Sequence, residues 1–189
     1  APVAHAAGSG PGSVAISDLN GDGKLDLAVA NSDSHDVSIL LGNGDGTFGP
    51  AKGFPLNNNP ESVYYSPSPI MSISIEDFDR NGAKDIAVSD SFAQGVSVLF
   101  GDGTGSLGAV TQVEGVANPT SITVADFNSD QVLDIAASQY SDGTLKVLGG
   151  YGNGKFRLVS SASAGGSVFA TTSAQLNQDD RPDLASANY

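Results

Sequence analysis

The chain has 189 residues, enough for one domain with a real core, and its 21 acidic against 8 basic side chains give a formal net charge of -13. Such acidity disfavours nucleic acid and anionic membranes as partners, because both repel a protein with few cations to offer. The lack of cysteine excludes disulfides, thiolate zinc sites and thiol catalysis, and no apolar run is long enough to span a bilayer as a helix.

In chain order, no basic segment followed by an apolar run opens the sequence, so any leader peptide is expected to have been removed or never encoded. Residues 2–7 read as a lone outer strand. Val14 and Ile16 then alternate with small residues, the period of a half-buried strand, and lead into the loop Asp18-Leu19-Asn20-Gly21-Asp22-Gly23-Lys24-Leu25-Asp26. An apolar run follows at Leu27-Ala28-Val29 and another at Val37-Ser38-Ile39-Leu40-Leu41. Gly42 closes the second run, Asn43-Gly44-Asp45-Gly46 makes a tight turn, and Phe48 anchors a last strand. This unit of strand a, loop, strand b, strand c, glycine turn and strand d covers about residues 11–58. Residues of about 57–69 are an insertion that the pattern does not require, and they carry Tyr64 and Tyr65.

The unit then recurs. The second copy, about 70–117, has Ile73 and Ile75, a loop from Asp77 to Asp85, Ile86-Ala87-Val88, Val96 to Phe100, Gly101, the turn Asp102–Gly105 and Leu107. The third, about 119–166, has Ile122 and Val124, a loop from Asp126 to Asp134, Ile135-Ala136-Ala137, Leu145 to Leu148, Gly150, the turn Tyr151–Gly154 and Phe156. A partial fourth, about 168–189, has a loop from Gln175 to Asp183 and then Leu184-Ala185. The loops start at 18, 77, 126 and 175, so they lie 59, 49 and 49 residues apart.

Four antiparallel strands in such a unit make one blade of a β-propeller, and a blade cannot bury both faces alone. The expected fold is therefore all-β, a propeller of four-stranded antiparallel blades forming a single repeat domain over residues 1–189. Residues 2–7 could close the incomplete last blade into a four-bladed ring, or the chain could be part of a larger ring.

The loops have the chemistry of a calcium site. Calcium takes six to eight oxygen ligands, and oxygen side chains at positions 1, 3 and 5 turn towards one point. A carbonyl at position 7 and a carboxylate at position 9 complete the set. The candidate ligands are Asp18, Asn20, Asp22, the Lys24 carbonyl and Asp26 in the first loop, and Asp77, Asp79, Asn81, the Ala83 carbonyl and Asp85 in the second. They are Asp126, Asn128, Asp130, the Val132 carbonyl and Asp134 in the third. The fourth keeps a weaker set of Asn177, Asp179, the Arg181 carbonyl and Asp183, with Gln175 at position 1. A helix–loop–helix calcium hand would need Glu at position 12, where these loops have Val29, Val88, Ala137 and Ser186.

These strings resemble the FG-GAP and VCBS repeats, related to the blades of integrin α-subunit heads. That resemblance implies a calcium-binding β-propeller, mostly extracellular, serving in adhesion, as a lectin, or as a module of a larger secreted enzyme. Family members are typically seven-bladed, more than this chain supplies. His5 and His35 occupy no repeated position, and no Ser, His and Asp spacing indicates a triad, so the chain is expected not to be an enzyme. Tyr64 and Tyr65 are the candidate ligand-binding side chains for a glycan or protein, with Phe92 and Tyr140 as weaker ones. The expected function is non-catalytic adhesion or ligand recognition at the cell surface or in secretion, with calcium as cofactor. An accessory role in a larger polysaccharide-active enzyme is the alternative, and self-association or further blades could complete a ring.

Overall fold

A computed structural model describes residues 3–56, 72–91 and 95–189. Among them every regular element is a strand, and fourteen strands follow in the expected order. The first blade is β1 (Pro11–Ser17), β2 (Asp26–Asn31), β3 (Asp36–Leu40) and β4 (Lys52–Pro55). The second is β5 (Ile73–Glu76), β6 (Asp85–Asp90), β7 (Gly95–Gly101) and β8 (Leu107–Val113). The third is β9 (Pro119–Ala125), β10 (Asp134–Gln139), β11 (Thr144–Gly150) and β12 (Phe156–Ser163), and β13 (Val168–Ala174) pairs with β14 (Asp183–Asn188). Each of the three complete sheets is an antiparallel meander in sequence order, and β13–β14 is a two-stranded ribbon.

The registers repeat from blade to blade. Ile16 faces Leu27, Ile75 faces Ile86 and Val124 faces Ile135. Strand β6 shows why the units must stack, for all six of its residues are buried. Its alternate side chains enter two different cores. Ile86 and Val88 join Ala28, Ala30, Val37 and Ile39 of the first blade. Ala87, on the opposite face, joins Ile122, Ile135 and Ala137 of the third. The core is thus two apolar layers, each held between neighbouring blades, and β14, with a neighbour on one side alone, is largely exposed. First strands of successive blades meet through polar contacts, such as Thr120 Oγ1 donating to the Val168 carbonyl (2.7 Å) and Thr123 Oγ1 beside Ser173 Oγ (2.9 Å).

Residues 3–7 depart from expectation, because they form no strand and do not pair with β14. The His5 ring packs edge-on against Phe48 with centroids 5.1 Å apart, and the Gly8 amide donates to Ser38 Oγ. These contacts hold the segment on the first blade. No ring closure onto the fourth unit is made by the described residues.

The glycine after each strand c is fixed by close approach. A Cβ at Gly42, Gly101 or Gly150 would land on the carbonyl oxygen of Leu25, Lys84 or Leu133, deep inside van der Waals contact. That oxygen belongs to the backbone and cannot swing away. Gly101→Ala is therefore expected to destabilise the fold by roughly 1–3 kcal/mol, the range for overpacking. Urea denaturation checks this; a cost no larger than that at Gly49, where a Cβ meets only an ordinary contact at 3.6 Å, would contradict it.

Candidate metal centres

Each carboxylate loop joins strand a to strand b of its blade, and its first Asp organises the turn. Asp18 Oδ1 accepts the amides of Gly21 (2.8 Å) and Asp22 (3.2 Å), and Asp18 Oδ2 accepts that of Gly23 (2.8 Å). Asp77 receives the amides of Asn81 and Gly82, and Asp126 those of Asp130 and Gln131. Side-chain oxygens at positions 3 and 5 then cap the amide two residues on, as Asn20 does for Asp22 and Asp22 for Lys24. This winding requires left-handed backbone at positions 4 and 6. Gly21 and Gly23 supply it without strain, whereas Arg80, Ser129 and Gln131 adopt φ of 62, 63 and 65°.

The Asp at position 9 is placed differently. Asp26, Asp85 and Asp134 are fully buried. Asp85 Oδ2 accepts the Phe78 amide at 2.8 Å and Oδ1 accepts that of Gly101 at 2.9 Å. Asp26 joins Leu19 to Gly42 in the same way, and Asp134 joins Phe127 to Gly150. The carboxylate therefore ties the loop to the end of strand c, a role that sequence reasoning missed. A signal was present, because each of these Asp residues precedes its glycine by 16 positions.

Burial raises the carboxyls of Asp85 and Asp134 above the ordinary value of 3.8. The amides of Gly101 and Phe78, or of Gly150 and Phe127, oppose the shift. Asp79 adds to it at Asp85, as do Asp130 and Asp126 at Asp134. At Asp22, on the surface, the Lys24 amide draws the carboxyl below its usual range.

In the second loop, oxygens of Asp77, Asp79 and Asp85 lie within 4.8 Å of one another, the one such group of three acidic residues among the described residues. The first and third loops have Asn20 and Asn128 at position 3, so neither brings three carboxylates together as closely. In the fourth loop Asp183 accepts the amides of Leu176 and Asn177 and the side-chain amide of Asn177.

Adjoining loops are strapped together. Arg80 donates to the Gln131 carbonyl of the next blade's loop. The Gly105 amide donates to the Leu19 carbonyl, and the Gly154 amide to the Phe78 carbonyl, each at 3.2 Å.

Tyr64, Tyr65 and Phe92 lie outside the described residues. Tyr140 sits in the turn between β10 and β11 and meets Phe169 edge-on at 5.3 Å; Phe169 in turn meets Tyr189 at 6.3 Å. This partly exposed aromatic row was not legible beyond Tyr140, since its members come from three segments. A groove of about 520 Å³ runs between β4 and β8, lined by Phe54, Leu56, Leu107, Val110 and Gln112 among others. His35 lies in the turn between β2 and β3, and neither it nor His5 belongs to a carboxylate loop.

Comparison with known proteins agrees with the repeat. The family model described as FG-GAP-like repeat matches residues 18–88 and again 77–137. No curated protein matches the chain. Among solved structures, a lectin of Agrocybe aegerita that recognises non-reducing terminal N-acetylglucosamine superposes with a TM-score of 0.55 at 20% identity. The alignment covers 93% of this chain and 43% of the lectin. BBS1N, solved in complex with ARL6DN, superposes with a TM-score of 0.59 at 15% identity, over 97% of this chain and 52% of its own. The chain spans about half the length of these structures, and the likeness is one of fold.

Proposed function

The chain belongs to the FG-GAP-like repeat family, and from that premise we propose that it is a non-catalytic, extracellular recognition module whose blades are stapled by calcium. The observation that carries the reading is the convergence of Asp77, Asp79 and Asp85, on a loop whose backbone is wound about its first carboxylate. The donor set fits calcium, a hard cation that takes oxygen alone. Asp18, Asn20, Asp22, the Lys24 carbonyl and Asp26 would hold it in the first loop, with the corresponding residues of the second and third. The ion would supply positive charge to clustered carboxylates. The residues themselves orient the loop, through the amides that Asp18, Asp77 and Asp126 gather.

Calcium titration of the chain is expected to show three sites, with Kd of roughly 10⁻⁴–10⁻³ M as in other extracellular modules. A glycan array in calcium should return a ligand, with glycans ending in N-acetylglucosamine as the first probes. Tyr64→Ala with Tyr65→Ala should weaken that binding more than Tyr140→Ala. No calcium uptake, or no ligand on glycan and protein arrays, would overturn the corresponding half of the proposal.

Acidity gives a separate check. The folded values of Asp85 and Asp134 lie above the unfolded value of 3.8. Their protonation thus favours the folded, ion-free chain. That contribution is complete below 3.8 and is lost as pH rises through the raised values. Calcium works in the opposite sense, since it requires the carboxylates. The gap in Tm between calcium and chelator should be widest near pH 7 and narrow towards about pH 4. A gap constant over that range would contradict the assignment.

A further inference from the structure

We infer that the fourth loop is closed by an amide in place of a cation, with Gln175 supplying the donors. With its amide oriented by its neighbours, Gln175 donates to the carbonyls of Arg181 (2.8 Å) and Asn177 (3.2 Å). Its oxygen accepts the amides of Asp180 (3.0 Å) and Arg181 (3.1 Å). The Arg181 carbonyl is the position-7 oxygen, the atom that in the other loops is offered to calcium. A carboxylate at position 1 has no hydrogen to give that oxygen, but a carboxamide does. Gln175 therefore both gathers loop amides, as Asp18, Asp77 and Asp126 do, and satisfies the carbonyl across the loop.

Two further features fit a loop complete in itself. Asn177 turns its side-chain amide onto Asp183 Oδ1 at 3.0 Å, so that carboxylate already has a donor. At position 4, Gln178 does not enter the left-handed region that Gly21, Arg80 and Ser129 occupy; Asp180 alone does so, with φ of 61°. The backbone thus takes a different path from the calcium-type winding. Position 1 of this loop is neutral where the first loop has a carboxylate, and its internal hydrogen bonds need no ion.

The inference rests on the calcium reading only for the contrast with the first three loops, and amide hydrogen exchange separates the two. In the full chain, exchange at Asp180 and Arg181 is expected to be the same in calcium and in chelator, whereas Gly23, Gly82 and Gln131 exchange faster in chelator. Gln175→Ala should speed exchange at Asp180 and Arg181 in chelator by roughly fivefold or more, the loss of about one hydrogen bond. Protection of Thr172 and Ala185, register partners across the ribbon, would show in the same spectra that β13–β14 is still folded. Gln175→Asp, which removes the donor and restores a carboxylate, should make protection at Asp180 calcium-dependent. Chelator-sensitive exchange at Asp180 and Arg181 in the unaltered chain, or unchanged exchange in Gln175→Ala, would overturn the inference. Chelator-indifferent exchange at Gly23, Gly82 and Gln131 would instead overturn the calcium reading.

Discussion

Asp85→Ala is expected to destabilise the fold by roughly 2–6 kcal/mol even in excess chelator, because it strands two buried backbone donors at about 1–3 kcal/mol each. Those donors are the amides of Phe78 and Gly101, and they meet the carboxylate at 2.8 and 2.9 Å. Asp77→Ala is the contrast. Asp77 is only half-buried, the amides it accepts are exposed, and water can replace it. Its ion-free cost should be nearer 1 kcal/mol, the net worth of a typical hydrogen bond. Asp85→Asn keeps one acceptor and should fall between the two. Urea denaturation of all three in chelator provides the measurement. If the cost of Asp85→Ala disappears in chelator, Asp85 is a ligand alone and the clamp contributes nothing.

Chelation itself should lower the Tm measurably. An ion that binds only the folded chain adds RT ln(1 + [L]/Kd), so millimolar calcium at Kd of roughly 10⁻⁴–10⁻³ M adds about 0.4–1.4 kcal/mol per loop. Three loops together add roughly 1–4 kcal/mol. For a chain of this size each kcal/mol moves the Tm by about 2–4 °C, so the whole response lies between a few degrees and about 15 °C. Asp22→Ala should remove part of it. Asp183→Ala should leave it nearly intact, because its loop has lost the position-1 carboxylate. A Tm indifferent to excess chelator would count against calcium in all three loops.

The strands were legible because two local signals agree three times over. Alternation at Val14/Ile16, Ile73/Ile75 and Ile122/Val124 marks strand a, and a glycine at fixed offset ends strand c. The loops were legible as oxygen-rich turns for the same reason. What stayed hidden depends on partners distant in sequence. Nothing near Asp85 says that the Gly101 amide will reach it, or that Arg80 will reach the Gln131 carbonyl. Residues 2–7 resemble strand d in composition, but His5 finds Phe48 on the first blade. Gln175 looked like a lost ligand position, because nothing beside it in the sequence says that its NH2 group will meet a carbonyl six residues on.

Two of the straps between blades share one direction. The glycine turn of the second blade leans on Leu19 in the loop before it, and the turn of the third leans on Phe78. Each carboxylate loop is thus a footing for the outer hairpin of its successor. The same loop's position-9 Asp grips its own strand c, through Gly42 or Gly101. Loosening the second loop therefore releases the hairpin of its own blade and that of the third, while the first blade's turn, Asn43–Gly46, is spared. In a stack bound only by nearest-neighbour contacts, this gives the array a polarity. A loosened loop thus weakens the hairpin of the blade that follows it, and an ion that held an early loop would secure that next hairpin as well.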